Sequence, residues 1–523
     1  MLNNNRLVRK THLKKIQVFA IVLAIIAIYP SCTNLDEVYY SQLGSDNFLK
    51  TDEEVTAAVG AAYSSLKFFN SFGNLFTLIE TSGEAGLPGR TGGDWLGDGL
   101  HVRLIQHTWT KDEGNFSEVW SGYYAGVNDC NRIIYQLENL NADKYRSYIA
   151  ELKTIRALWY LWLIDEWGNV PIIQKYDVPS DYLPKTNTRL EVYNFIEKEL
   201  TDNIAYLSKE NDASTYGRAT YWTAKSILAK LYLNAEVYTG TPQWQKAADA
   251  CEEIIKSTKF SLMDDDSQNF IAQNQNSTEA IFAIPYDAVH TEWTNFLPLI
   301  TLHYASQQTF KLKNQPWNGL SVQTDFFNLY EDKDKRKSDN FLWGPQYTYE
   351  GAPLVDMGYE KDTTLDPDGP QIIFTPTFTG TVSATARQCG ARVKKWEIEI
   401  GGTGHTNSDF FVFRYTDILM TRAEALWRLD PSSAEALELI NQIRTRSNVD
   451  PFKTLTAQEI LDERGRELFM EGWRRSDLIR FDKYNDPTIW KPYKSESFRK
   501  LFPISSKQLD ANPTLTQNPG YSK

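Results

Sequence analysis

Apolar positions recur at helical spacing through most of residues 50–260 and again from about 411 to 480. Thr51 ahead of Asp52, Glu53 and Glu54 reads as an N-cap followed by acids in the first turn, so a helix is expected over 54–66. Further helices are expected over 118–140, 151–167, 190–207, 220–238 and 243–257. Gly168 and then Pro171 end the third of these.

The last two form a helical hairpin. Ala224, Leu228, Ala229 and Tyr232 would face Ala247, Ala248, Cys251 and Ile254 or Ile255. A second hairpin is expected from 413–429 and 432–446, with Ala423, Ala425 and Leu426 against Ala434, Ala436 and Leu439. Small residues where two helices cross resemble a tetratricopeptide unit, and an ordinary helical hairpin is the competing reading. Either way these residues serve packing. The stretch 463–480 is expected as one helix.

Residues 261–410 break this pattern. They are rich in Asn, Gln, Gly, Pro and Thr, with short apolar runs at 280–284 and 372–374. Gly369-Pro370 and Gly401-Gly402 are turn signals. The fold class that follows is mainly α: a tetratricopeptide-like helical scaffold (50–260 and 411–480) with a loop-rich insertion (261–410) holding a few short strands.

The N-terminal stretch has a separate character. Arg6, Arg9, Lys10, Lys14 and Lys15 precede an apolar run, 16–28, interrupted by Gln17. That run is shorter than the roughly 20 residues of a membrane span. With small Ser31 after it, residues 1–31 read as a secretory signal. Cys32 follows directly, as in the lipobox of bacterial lipoproteins, with Tyr29 and Pro30 in place of the usual residues. Cys32 is therefore expected to be the lipidated first residue of a mature 32–523 chain; a plain secreted protein is the alternative. No second long apolar run follows.

Composition narrows the function. Removing the five basic residues of the leader from 55 leaves 50 against 67 acids, a net charge of -17. An acidic balance argues against nucleic acid as a partner. Of four cysteines, Cys130 and Cys251 fall in helical patterns as small buried hydrophobes and Cys389 in a loop. Neither a disulfide framework nor a metal spacing emerges. Fifteen tryptophans stand out and require either an aromatic core or a surface that stacks on a ligand.

The order of segments carries a resemblance. Residues 120–134 (WSGYYAGVNDCNRII), 156–171 (RALWYLWLIDEWGNVP), 413–426 (FRYTDILMTRAEAL), 463–480 (ERGRELFMEGWRRSDLIR), FPIS at 502–505 and NPTLTQNPGY at 512–521 resemble, in order, the SusD/RagB family of outer-membrane nutrient-binding lipoproteins. Residues 90–109 (RTGGDWLGDGLHVRLIQHTW), 318–336 and 343–345 resemble one branch of it. The resemblance implies a cell-surface, lipid-anchored outer-membrane protein without catalytic activity. It would capture glycans, or in some members other nutrients, and partner a TonB-dependent SusC-like transporter. The helical repeats would face the transporter and the irregular part would hold the ligand.

Residue chemistry is consistent with binding. Glu463, Glu467 and Glu471 would share one face of a helix, with Arg464, Arg466, Arg474 and Arg480 interleaved and pairs Arg464–Glu467 and Arg474–Asp477 at i, i+3. Interleaved arginines make this an ion-pair network rather than a catalytic or metal-binding carboxylate row. Asp264, Asp265 and Asp266 lack the calcium-loop pattern and read as a solvated turn. His101, His107, His290, His303 and His405 are scattered, and no HExxH, CxxC, P-loop or GxSxG is present. No catalytic residue, metal or cofactor is expected. A secreted glycosidase would need a carboxylate pair that nothing singles out, and a purely structural repeat scaffold is the other alternative.

The tryptophans divide. Trp120, Trp159, Trp162, Trp167, Trp222, Trp244, Trp427 and Trp473 fall in helical patterns, and Trp109, Trp396 and Trp490 have plausible structural places. Trp95, Trp293, Trp317 and Trp343 lie in Gly-, Asn- and Pro-rich surroundings. Flat aromatics stack on the apolar C–H faces of sugars, while Asp, Asn and Arg bind the hydroxyls. The candidate ligand-binding residues are therefore Trp95, Trp293, Trp317 and Trp343, with Arg90, Asp94, Asn318 and Tyr347 nearby. Burial under a loop competes for each.

Overall fold

The computed structural model describes residues 49, 51–81, 83–287, 295–356 and 370–522. The leader, Cys32, His290 and Trp293 lie outside the described residues. The chain divides into two units, Met1–Glu54 and Val55–Lys523. In the first unit Thr51 Oγ1 accepts from the Glu54 amide and Glu54 Oε2 from the Thr51 amide, both at 3.2 Å. That reciprocal capping box opens the helix Asp52–Ser65.

Within residues 55–523 the longer helices are Gly114–Asn141, Arg146–Glu166, Arg189–Asn203, Tyr221–Leu233, Trp244–Lys256, Tyr415–Leu429 and Ala434–Arg446. The 146–166 helix packs between 114–141 and 189–203. The two expected hairpins form, 221–233 on 244–256 and 415–429 on 434–446. They also join each other, because 415–429 packs on 244–256. Arg422 Nη1 donates to the Ala248 carbonyl at 2.8 Å across that contact. Small residues allow the close crossings: Ala224, Ala229, Ala247, Ala248, Ala423 and Ala425 are buried. At Gly126 the Trp159 indole occupies the space where a Cβ would stand, 2.2 Å from it.

Three helix expectations are corrected. The 220–238 segment divides into Tyr221–Leu233 and Ala235–Thr239 at Asn234. Asn234 Nδ2 donates to the Lys230 carbonyl at 3.0 Å and Oδ1 accepts from Arg480 at 2.9 Å, a local side-chain bond that competes with the helix ladder. The 413–429 segment begins as a strand, Phe410–Arg414, and only then becomes helix. Five consecutive buried residues pair antiparallel with Ala280–Ile284, which suits Phe and Val better than a helix with a solvent face. The third correction concerns 463–480, which is two helices, Ala457–Glu467 and Arg474–Arg480. Between them Met470 and Gly472 take φ of 61° and 82°. Lys395 Nζ and Arg414 Nη2 each donate to the Glu467 carbonyl at 2.9 Å. Those cations capture the carbonyl at the helix end and fix where it stops.

The charges of this segment are buried and paired, many of them with distant partners. Arg464 Nε donates to Asp477 Oδ2 at 2.8 Å, and Arg474 pairs with Glu84 rather than Asp477. Glu467 receives Arg336 at 2.9 Å, Arg414 at 2.9 Å and Arg446. Glu471, beyond the helix, receives Lys395 at 2.6 Å and Arg414 at 2.8 Å. Asp266 is not a solvated turn residue. It is buried against Arg414 at 3.3 Å and Arg446 at 3.2 Å. Burial and the neighbouring Glu467 hold its carboxyl above the usual range. The ion-pair network therefore stands, with Arg466–Glu463 at 2.6 Å and Arg480–Asp477 at 2.7 Å as local pairs, while the expected Arg464–Glu467 and Arg474–Asp477 pairs are replaced.

The remaining strands are short antiparallel pairs: Ala85–Gly86 with Ser321–Val322, Phe341–Leu342 with Arg392–Val393, Gly344–Pro345 with Ile373–Phe374, and Gly380–Thr381 with Ala384–Thr385. Cys130, Cys251 and Cys389 are buried, and burial pushes the Cys130 thiol up to about 12. Among the described residues no helix is long and apolar enough to cross a membrane. Trp109, Trp159, Trp167, Trp396 and Trp490 are core residues.

Candidate functional site

Arg90 organises the irregular region from inside. It is 1 % exposed. Its Nε donates to the Asn318 carbonyl at 3.2 Å, Nη2 to the Gly319 carbonyl at 2.9 Å, and Nη1 to the carbonyls of Cys389 at 2.8 Å and Ala386 at 3.3 Å. One rigid guanidinium thus ties three loops together by their backbones. Asn318 is equally buried, with Nδ2 donating to the Arg387 carbonyl at 3.1 Å and Oδ1 accepting from Arg392 at 2.9 Å. Both were expected to meet a ligand. The structure instead spends their polar groups on the fold, because loop backbone brought inside needs partners.

The clamp positions two of the four expected tryptophans together. Trp95 takes φ 60°, and its ring lies over Gly319, where a Cβ would come within 2.6 Å of the indole. Trp95 Nε1 donates to the Trp317 carbonyl at 2.7 Å. Trp95 and Trp317 line a cavity of about 900 Å³ with Phe68, Phe72 and Phe296. Ring centroids lie 6.0 Å apart for Phe72–Trp95 and 5.9 Å for Phe296–Trp317. His101, Asn115, Glu118 and Ser71 add polar groups to the wall. Burial pushes the His101 imidazole down to about 4, so it is neutral at neutral pH. Its Nδ1 and Ser71 Oγ have no hydrogen-bond partner among the described residues.

Asp94 faces a second, polar pocket of about 400 Å³. Tyr304 donates its hydroxyl to the Asp94 carboxylate. Arg387 lies 3.5 Å and His303 Nε2 3.4 Å from Asp356 Oδ2 in the same lining. Since Asp94 and Trp95 are consecutive, the polar pocket and the aromatic cavity meet at one turn.

Trp343 and Tyr347 belong to neither cavity. They are 40 % and 48 % exposed, on the outer side of the segments paired at Pro345–Ile373 and Tyr347–Pro353. The Tyr347 carbonyl accepts from Thr309 Oγ1 at 2.7 Å, and the Tyr349 amide donates to the Gln308 carbonyl at 3.2 Å, next to the polar pocket. Sequence reasoning missed Phe72, Phe296, Tyr304, Asp356 and Arg387. Phenylalanines look like core in any sequence, and nothing local marks these as cavity walls. Among the described residues no group of His, Cys, Asp and Glu could hold a metal ion.

This architecture matches known proteins. Residues 278–521 match the profile of the SusD family, and residues 93–233 a profile described as starch-binding associating with outer membrane. The starch-binding protein SusD of Bacteroides thetaiotaomicron is 25% identical over 458 residues, covering 80% of this chain and 81% of that protein. A SusD-like protein of Bacteroides ovatus is 24% identical over 504 residues, covering 90% and 85%. Among solved structures, a laminarin-binding SusD-like protein superposes with a TM-score of 0.73 at 21% identity, over 90% of this chain and all of the other. Surface glycan-binding protein A from Bacteroides thetaiotaomicron, in complex with laminarihexaose, gives 0.70 at 22% identity over 89% and 99%. Helical scaffold and both profile matches agree: the chain is a member of the SusD/RagB family, a family of non-catalytic binding proteins.

Proposed function

We propose that this protein is a cell-surface lipoprotein that binds oligo- or polysaccharide at the Trp95–Trp317 cavity and delivers it to a TonB-dependent, SusC-like outer-membrane transporter. The observation that carries the reading is the pairing of Trp95 with Trp317 in the wall of one cavity, tied by the 2.7 Å bond and adjoined by the Asp94–Tyr304 pocket. Aromatic faces stack on sugar rings, and a carboxylate beside them accepts from hydroxyls. Relatives named for starch and laminarin binding support a glycan as the ligand class. The leader and Cys32 support a lipid anchor, which becomes stable with more than one acyl chain. Trp343 and Tyr347 supply an outer ledge for a longer chain. Trp293 remains a candidate outside the described residues.

Affinity electrophoresis of the mature chain against a panel of soluble polysaccharides, starch and laminarin included, tests the reading. Retardation by at least one glycan, lost in a Trp95→Ala/Trp317→Ala double variant, is expected. Absence of retardation by every polysaccharide refutes it. Co-purification of a large transporter with the tagged lipoprotein from outer membranes tests the partner.

A further inference from the structure

A cleft of about 260 Å³ lies elsewhere in the molecule and shares no lining residue with the aromatic cavity. One wall comes from residues 83–107 and 323–329, the other from 458–491. Its volume sits just below the usual range for ligand pockets, room for one sugar ring rather than a chain.

The lining is built, and one of its polar atoms is unused. Glu84 is 8 % exposed, and Arg474 holds its Oε1. Arg474 is held in turn by the Leu461 carbonyl, and the Glu84 carbonyl accepts from the Gln323 amide at 3.0 Å. The other carboxyl oxygen, Oε2, is buried and has no hydrogen-bond partner among the described residues. A buried polar atom without a partner costs the fold free energy, and a bound hydroxyl would recover it. Asp462, whose Oδ1 accepts from Gln458 at 2.8 Å, provides a carboxylate acceptor in the same lining. Phe326, Leu329 and Leu478 supply apolar surface.

The charges select against an ion. Carboxylates of Asp325, Asp462 and Asp486 share the lining with Arg474, Lys483 and Lys491, while burial keeps the Glu84 carboxyl protonated at neutral pH. Lys491 Nζ is occupied by the carbonyls of Asp486 at 2.6 Å, Asn485 at 3.1 Å and Tyr493 at 3.4 Å. A cationic ligand would meet three cations and an anionic one three carboxylates. A neutral ligand with several hydroxyls bonds Glu84 Oε2, donates to Asp462 and lays its C–H face on the apolar side. We propose that this cleft is a second carbohydrate site, distinct from the aromatic cavity, that takes a single neutral sugar residue.

Isothermal titration of the mature chain with glucose, galactose, mannose and xylose, one at a time, tests it. Saturable binding of at least one sugar is expected in the wild type and in the Trp95→Ala/Trp317→Ala variant. The same binding is expected to weaken at least tenfold in Asp462→Ala and in Leu329→Trp, which fills the cleft. Thermal melts identify a Leu329→Trp chain that has not folded, and Asp462→Ala then decides alone. Saturable binding of none of the four sugars by the wild type overturns the proposal, as does binding that survives in folded Asp462→Ala. Loss of that binding in the double tryptophan variant also overturns it, because it assigns the sugar to the aromatic cavity. Failure of the proposed glycan function reads differently: there the polysaccharides fail to bind, whatever the cleft does.

Discussion

Arg414 and Glu467 meet twice: Arg414 Nη1 lies 2.9 Å from Glu467 Oε1, and Nη2 donates to the Glu467 carbonyl at 2.9 Å. Both are buried, and Arg414 also reaches Glu279 at 3.2 Å and Glu471 at 2.8 Å. One guanidinium therefore joins the strand Phe410–Arg414, the end of the helix Ala457–Glu467 and the turn after it. Taking these charges from water costs several kcal/mol per ion, offset only while every partner is present. Arg414→Met leaves the carboxylates without their shared cation. It is expected to lower stability by about 3–5 kcal/mol, read as a fall in the urea midpoint. An unchanged midpoint would contradict this account.

Stability should depend on pH with two limbs. Burial raises the carboxyls of Glu80 to about 7 and of Glu84 and Glu166 to about 8. The folded state holds these protons more tightly than the unfolded chain, so the stability they contribute is full below about pH 4.5 and is lost as pH rises through 7–8. Glu424 and Glu463 behave oppositely. Burial raises them, but Arg480 and Arg428 around the first and Arg336, Arg466 and Arg444 around the second bring both to about 2. Their contribution is present above about pH 4.5 and is lost as pH falls through 2. The melting temperature should peak in mildly acidic solution and fall by a few degrees from about pH 6 to about pH 9. Glu166→Gln, which keeps the side-chain shape beside Tyr123, should reduce that alkaline fall in a differential scanning calorimetry series.

Two glycines in helices should respond with opposite sign. Nothing stands within 4 Å of where a Cβ on Gly60 would be, whereas the Trp159 indole lies 2.2 Å from where one on Gly126 would be. Gly60→Ala removes backbone freedom from the unfolded chain and should stabilise by about 0.5–1 kcal/mol. Gly126→Ala forces the 114–141 and 146–166 helices apart and should destabilise by about 1–3 kcal/mol. Chemical denaturation of the pair measures both.

Arg90 and Trp317 should separate the scaffold from the proposed ligand contact. Arg90→Lys cannot span the carbonyls of Asn318, Gly319, Ala386 and Cys389 together and should lower the melting temperature along with glycan affinity. Trp317→Ala removes a half-buried ring and should cost about tenfold in affinity, about 1.4 kcal/mol, with the smaller thermal shift. Melts and affinity electrophoresis on the same preparations compare the two.

Much of the scaffold is local in origin. Alternating faces of alanine and leucine, the Thr51–Glu54 cap and the Gly168 stop lie within a few residues of what they control, so periodicity alone reveals the helices and both hairpins. The interleaved acids and arginines of 463–480 likewise announce an ion-pair network, and Trp95 and Trp317 announce themselves as aromatics in turn-rich surroundings. What tertiary structure decided is who partners whom. Arg474 binds Glu84 rather than its neighbour Asp477, and Asp266 is buried by Arg414 and Arg446. Arg90 and Asn318 look like sugar ligands in a loop, yet close loops from the inside. Phe72 and Phe296 look like core, yet wall the cavity. A side chain's hydrogen-bonding capacity is set by its chemistry, but whether a ligand or a distant carbonyl uses it depends on which chain segments folding brings within about 3 Å, and that is a long-range property.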